Sequence, residues 1–191
     1  MRKNIHSAAR IRACLRIISR AQGDAARPQY RGAWIDGPRG AVLTDGFILV
    51  RLNADAPELP HVEPGRGQLD AGRVMSSAAA GADKHGWEPL ELPRADELKT
   101  WIKDRGGRRA RPAYVLGDGA ALVNAGYLLD VLEIMGPQAR AAVPAGPFSP
   151  VLIWADVESP AGADAILLPI RPDVSRHGDQ ARAVIDYWGR R

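Results

Sequence analysis

Tyr127-Leu-Leu-Asp-Val-Leu-Glu-Ile-Met135, then Ser149-Pro-Val-Leu-Ile153, then Ala165-Ile-Leu-Leu-Pro-Ile-Arg171 is the stretch whose reading decides the fold. Its first part carries apolar residues at helical spacing. Tyr127, Leu128, Val131, Leu132 and Met135 form one stripe, and Asp130 and Glu133 are expected to face away from it. Asn124 is placed to cap this helix, because its side-chain oxygen accepts from backbone N–H groups of the first turn, and Gly136-Pro137 ends it. The two apolar runs that follow are short and read as an antiparallel hairpin whose last strand closes in Leu168, Pro169, Ile170 and Arg171.

Working outward, two further helices are expected. Ile11, Cys14, Leu15 and Ile18 recur at helical spacing over about 7–20, with Arg12, Arg16 and Arg20 on one stripe at intervals of four. Leu98, Trp101 and Ile102 define a second helix that Gly106-Gly107 terminates, leaving Arg105, Arg108, Arg109 and Arg111 as a basic loop. Between them, Ala41-Val-Leu-Thr44 and Phe47-Ile-Leu-Val50 flank an Asp45-Gly46 turn, and the segment 30–35 reads as extended. Pro112-Ala-Tyr-Val-Leu116 and Ala120-Ala-Leu-Val123 read as strands around Gly117-Asp118-Gly119. The pattern fades over 53–91, read as an irregular insertion, although so long a structureless loop is uncommon in a compact domain. The segment 173–191 reads as a basic tail able to form an amphipathic helix with Ala181, Val184, Ile185 and Trp188 on one side. Ala26-Arg-Pro-Gln-Tyr30 and Ala110-Arg-Pro-Ala-Tyr114 are a faint internal echo, each joining a helix to a strand.

Composition removes several classes. At 191 residues the chain has room for an unaided core, since roughly 70% of the unfolded surface is buried at this size. Cys14 is the single cysteine, which leaves no disulfide framework and no cysteine zinc site and points to a reducing, cytoplasmic setting. Met1-Arg-Lys-Asn-Ile-His lacks the apolar core of a signal peptide, and no apolar run approaches the ~20 residues of a membrane span. The net charge of +4 and pI near 9.6 favour an anionic partner.

The order of helix and hairpin resembles the closing half-domain of the bacterial sliding clamp, the DNA polymerase III beta subunit family. There a Tyr-Leu-Leu-x-x-Leu helix precedes Ser-Pro-Val-x-Ile and a terminal Met-Pro-Met-Arg, where this chain has Leu168-Pro-Ile-Arg171. A second fragment agrees: Arg27-Pro28, Gly32 and Leu43-Thr-Asp-Gly-Phe-Ile-Leu49 look like the clamp's Arg-(Tyr/Pro), Gly-Val and Ala-Thr-Asp-Gly-His-Arg-Leu. The likeness covers about half the chain, at 27–49 and 124–171, and the tail from 173 has no counterpart in it. It implies an α+β, DNA-clamp-like fold over 1–172, with helices packed on one face of antiparallel sheets and repeated helix-plus-sheet halves. The implied function is that of a sliding-clamp homologue or clamp-derived replication accessory factor, without catalysis, cofactor or metal. Its implied partners are duplex DNA, replication proteins or their peptide motifs, and further copies of itself, with no membrane.

Two sites follow from the resemblance. A sequence-blind DNA holder needs cations facing phosphates, for which Arg12, Arg16 and Arg20 on the first helix, helped by Arg2, Lys3 and Arg10, and Arg108 and Arg109 on the basic loop are the candidates. A solvated helix face carries arginines just as readily. An apolar cleft for peptide motifs is implied between Phe47, Ile48 and Leu49 on one side and Leu168, Pro169 and Ile170 on the other. Ile48 stands where the family has arginine, and apolar strand residues are more often core. A clamp-like module that does not encircle DNA is the alternative, and a small enzyme a distant third. The histidines lack metal-site spacing, Gly117-Asp-Gly-Ala-Ala-Leu122 departs from a dinucleotide fingerprint, and no phosphate loop or nucleophile elbow is present.

Overall fold

The computed structural model describes residues 8–23, 27–36, 40–52, 56–63, 69–83, 87–155 and 165–191. In chain order the elements are α1 (Ala8–Gln22), β1 (Trp34–Ile35), β2 (Ala41–Thr44), β3 (Ile48–Arg51), α2 (Ala71–Ala82), β4 (Pro89–Leu90) and α3 (Ala95–Asp104). There follow β5 (Ala113–Leu116), β6 (Ala121–Asn124), α4 (Ala125–Met135), β7 (Arg140–Ala142), β8 (Val151–Trp154), β9 (Ala165–Leu167) and α5 (Val174–Gly189). The protein is α+β.

One antiparallel sheet runs in the order β1-β2-β3-β9-β8-β7-β4, and β5 and β6 form a separate hairpin. The order carries a repeat. Helix α1 is followed by the meander β1-β2-β3, helix α4 by the meander β7-β8-β9, and the two meanders meet edge to edge where Ile48 pairs with Leu167 and Leu49 with Ile166. The first helices of the halves pack against each other and roof one sheet face, over Leu43, Ile48, Val50, Val151, Ile153 and Leu167. The Ala-Arg-Pro echo does not mark this repeat, since its second copy follows α3 and leads into β5, whereas the true second half begins at α4.

The opposite face corrects the expectation of helices on one side only. Trp34, Val42, Leu49, Leu152, Trp154 and Ile166 are buried there beneath α2, through Ala71 and Met75. Strands β2, β8 and β9 are apolar at every position bar Thr44, and a sheet that is apolar on both faces must be covered on both. The segment read as an irregular insertion supplies that cover. Its small residues let α2 lie close to the strands.

Helix α4 is capped as anticipated, the Asn124 side chain accepting from Gly126 N–H at 2.9 Å and Tyr127 N–H at 3.2 Å. It ends at Gly136, whose φ of 87° is glycine territory. Its burial differs from the single-stripe reading, because Leu129, Ile134 and Asp130 are buried along with Leu128, Val131, Leu132 and Met135, while Tyr127 is only half-buried. The helix is enclosed by α1, α3 and the sheet. On α1 the buried set is Ala13, Cys14, Ile17, Ile18 and Ala21, which leaves Leu15 exposed. Burial pushes the Cys14 thiol up to about 12, outweighing Arg10 nearby, so no thiolate forms near neutrality.

The tail 173–191 is part of the fold. Asp173 caps α5, Ala181 is buried, Val184 packs with Leu122 of the hairpin, and the Trp188 indole donates to the Ala120 carbonyl at 3.1 Å. Ile185, expected on the packed side, is exposed. Gly178 breaks the helical geometry (φ 53°, ψ −129°), and the regular turns that carry Ala181, Val184 and Trp188 onto the hairpin follow it.

Candidate functional site: an apolar groove beside an arginine and carboxylate cluster

The β2–β3 turn is built by its own side chains. Asp45 Oδ1 accepts from the N–H groups of Phe47 and Ile48, both at 2.9 Å, and Thr44 Oγ1 accepts from Gly46 N–H at 3.0 Å. Gly46 has φ 89°, and a Cβ there would run into the Arg27 guanidinium. The result is a rigid turn that lifts Phe47 into solvent, 52% exposed. The first residue after β9 comes to the same place, with Leu168 N–H donating to the Phe47 carbonyl at 2.9 Å.

Between them lies a groove of about 220 Å³. Phe47 and Leu168 stand at its rim, Leu49 and Ile166 form its floor, and Tyr30, Leu69 and Val74 wall it from the α2 side. Period-two alternation sorts the six residues expected here. Phe47, Leu49 and Leu168 belong to the groove. The Ile48 side chain points to the other face and is core, 1% exposed beneath the helices. Pro169 is absent from the groove lining, and Ile170 turns to the β5–β6 hairpin, where its N–H donates to the Leu122 carbonyl at 2.6 Å. Of the six residues expected to wall a cleft, the cavity thus gathers Phe47, Leu49 and Leu168, borders Ile48 although its side chain belongs to the core, and leaves out Pro169 and Ile170.

Behind the turn is a charge cluster centred on Asp130, which is fully buried. Its Oδ1 receives Arg16 Nε at 2.6 Å and Arg108 Nη1 at 3.0 Å, and its Oδ2 receives Arg20 Nη1 at 2.7 Å. Arg20 Nε reaches Asp45 Oδ2 at 2.6 Å, and Arg16 also pairs with Glu133. Burial alone would lower the Arg20 guanidinium, but Asp45 and Asp130 beside it raise it above its ordinary value. The three arginines are balanced by Asp45, Asp130 and Glu133.

This arrangement places part of the arginine stripe against acids and corrects the expected facing of Asp130 and Glu133. Arg16, Arg20 and Arg108 are bound to acids of α4 and the turn, and Asp130 and Glu133 do not face away. Arg12 and Arg109 are exposed, Arg10 is half-buried, and Arg2 and Lys3 lie outside the described residues. The missed signal was in the sequence. A helix apolar on every side is buried on every side, so an aspartate in its middle needs cations.

Arg20 also lies over the Tyr127 ring, 4.5 Å from its centroid, and Phe47 meets Tyr127 at 5.9 Å. Burial, then Asp45, push the Tyr127 phenol above its ordinary value despite Arg20 and Arg111. These residues, with Arg27 and Arg111, line a second pocket of about 530 Å³ next to the groove. Among the described residues no group of three His, Cys, Asp or Glu is placed to hold a metal ion, and no helix is long and apolar enough to cross a membrane.

Fold and site thus define an α+β domain with a doubled helix-and-meander plan and an apolar groove at the junction of its halves. Comparison of the chain with protein-family models, curated proteins and solved structures finds no match.

Proposed function

We propose that this chain is a clamp-like replication accessory factor that captures short peptide segments of replication proteins in the groove between Phe47 and Leu168. The observation that carries the reading is the groove's position. The two fragments that resemble the sliding-clamp family, 27–49 and 124–171, are distant in sequence and contribute opposite walls of one apolar slot. Two solvent-exposed anchors over a buried floor suit a peptide with hydrophobic side chains, whose affinity comes chiefly from removing those side chains from water. The paired halves are the plan the resemblance implied. No catalysis is assigned.

The test uses a clamp-binding peptide from a bacterial replicative polymerase, titrated by fluorescence anisotropy. Leu168→Asp should weaken capture by roughly tenfold or more, the worth of one buried leucine side chain, while thermal unfolding stays unchanged because Leu168 is 38% exposed. Undiminished binding by this variant would refute the groove. Ile48→Asp is no substitute, since it would unfold the core.

A second reading, in which several copies close into a ring around duplex DNA, is favoured by the same doubled plan. With Arg16, Arg20 and Arg108 engaged by acids, its phosphate contacts would fall to residues such as Arg12 and Arg109. Light scattering after size exclusion, at two salt concentrations with and without duplex, tests it: a ring predicts a multiple of the chain mass and salt-sensitive retention of DNA. A monomer indifferent to DNA leaves the peptide reading alone.

A further inference from the structure

We propose that the arginine-lined pocket beside the groove takes a carboxylate of the bound peptide, with Arg111 as its principal cation. The inference rests on the peptide reading and deepens it, because it adds an acidic requirement to an apolar one.

Arg27 and Phe47 line both cavities, so an extended segment with side chains in the groove passes directly beside the pocket. The pocket is lined by Arg20, Arg27 and Arg111, of which Arg20 is shared between Asp45 and Asp130, and by one carboxylate, Asp45. That carboxylate is fully used. Its Oδ2 takes Arg20 Nε at 2.6 Å and its Oδ1 takes two backbone N–H groups at 2.9 Å. Among the described residues no carboxylate lies within ion-pair distance of Arg111.

Arg111 is also held in a costly conformation. Its φ of 48° and ψ of 51° are left-handed, a region that a side chain disfavours, and neighbouring hydrogen bonds impose it: Arg111 N–H to the Arg108 carbonyl at 3.1 Å and Ala125 N–H to the Pro112 carbonyl at 3.0 Å. Backbone strain of this kind persists where the surrounding structure over-determines it, and here it coincides with an uncompensated guanidinium on a cavity wall. The rings of Phe47 and Tyr127 border the same space, and Arg111 is solvent-exposed on its wall, open to an incoming anion. The shared wall with an apolar groove favours a peptide carboxylate over a nucleic-acid phosphate, because a backbone phosphate brings no apolar neighbour for the groove.

The source of the carboxylate is an acidic side chain or the peptide's own C-terminus, and one experiment separates them. A synthetic random heptapeptide library, prepared once with free C-terminal carboxylates and once amidated, is selected against the full chain, Arg111→Gly and Arg111→Glu. Glycine suits the left-handed backbone and keeps the loop. The full chain should select apolar residues together with an acid at fixed spacing. Persistence of the acid in the amidated library assigns a side chain, and loss of selection there assigns the C-terminus. Arg111→Gly should weaken the acidic peptides roughly tenfold, the worth of a charge-assisted hydrogen bond, and leave purely apolar ones unaffected. Arg111→Glu should replace the acid by Lys or Arg at that position. Apolar selection with no acidic preference would overturn the inference while sparing the groove, and no peptide selection at all would overturn both. Unchanged acidic selection by the Arg111 variants, with duplex DNA binding reduced instead, would make the residue a phosphate contact and end the proposal.

Discussion

Replacing Asp130 by asparagine should lower the unfolding free energy by about 3 kcal/mol, since removing one partner of a buried ion pair costs roughly 3–5 kcal/mol. The carboxylate is fully buried and accepts from three guanidiniums at 2.6, 2.7 and 3.0 Å. Asparagine keeps the shape but turns an N–H₂ group toward donors, so at least one former contact becomes a donor facing a donor. The arginines keep 27–35% of their surface in water, which holds the cost at the lower end of that range. Urea unfolding followed by circular dichroism measures it. A loss below about 1 kcal/mol would mean that the guanidiniums swing into solvent at little cost, as exposed pairs do. The variant should also weaken peptide capture, because Arg20 ties Asp130 to Asp45 and Asp45 shapes the turn that presents Phe47.

Gly119→Ala should have the next largest effect, roughly 3 kcal/mol from combined strain and overpacking. Gly119 has φ 116°, and a Cβ there would collide with the Ala183 carbonyl oxygen and sit 2.8 Å from Tyr187 Cβ. Both neighbours belong to α5, which rests on this turn without a side chain between. The helix would be pushed off the β5–β6 hairpin, breaking the Trp188 contact to Ala120 and the Gln180 Nε2 contact to the Ala113 carbonyl at 2.8 Å. Thermal unfolding should drop, and trypsin should cut after Arg176 and Arg182 well before it cuts the sheet. Equal protease resistance in the two proteins would show that α5 adapts by shifting along the hairpin.

Much of this architecture was legible because local rules were obeyed. Asn124 and Gly136 bound α4, Asp45-Gly46 makes the turn, and Gly117-Asp-Gly119 joins two paired strands. What escaped reading followed from packing. Helix α2 lies in a stretch of small residues interrupted by glycines and prolines on either side, and it is required because the sheet is apolar on both faces. Arg16 and Arg20 look like any solvated stripe until α4 places Asp130 against them, a contact across 114 and 110 residues. Ile48 and Leu49 are equally apolar neighbours, and only the β3–β9 register decides which one floors the groove.

The sequence by itself determined where α1, α3 and α4 lie, where the Asp45-Gly46 and Gly117-Asp-Gly119 turns fall, and that an apolar hairpin follows α4, because these depend on spacing within a few residues. Tertiary structure alone decided which charges are spent and which are available. An arginine's partner is set by the element that happens to cross it: the sequence says that Asp130 needs cations, but which arginines reach it, and that Arg111 comes to lie beside Phe47, is encoded in no local pattern.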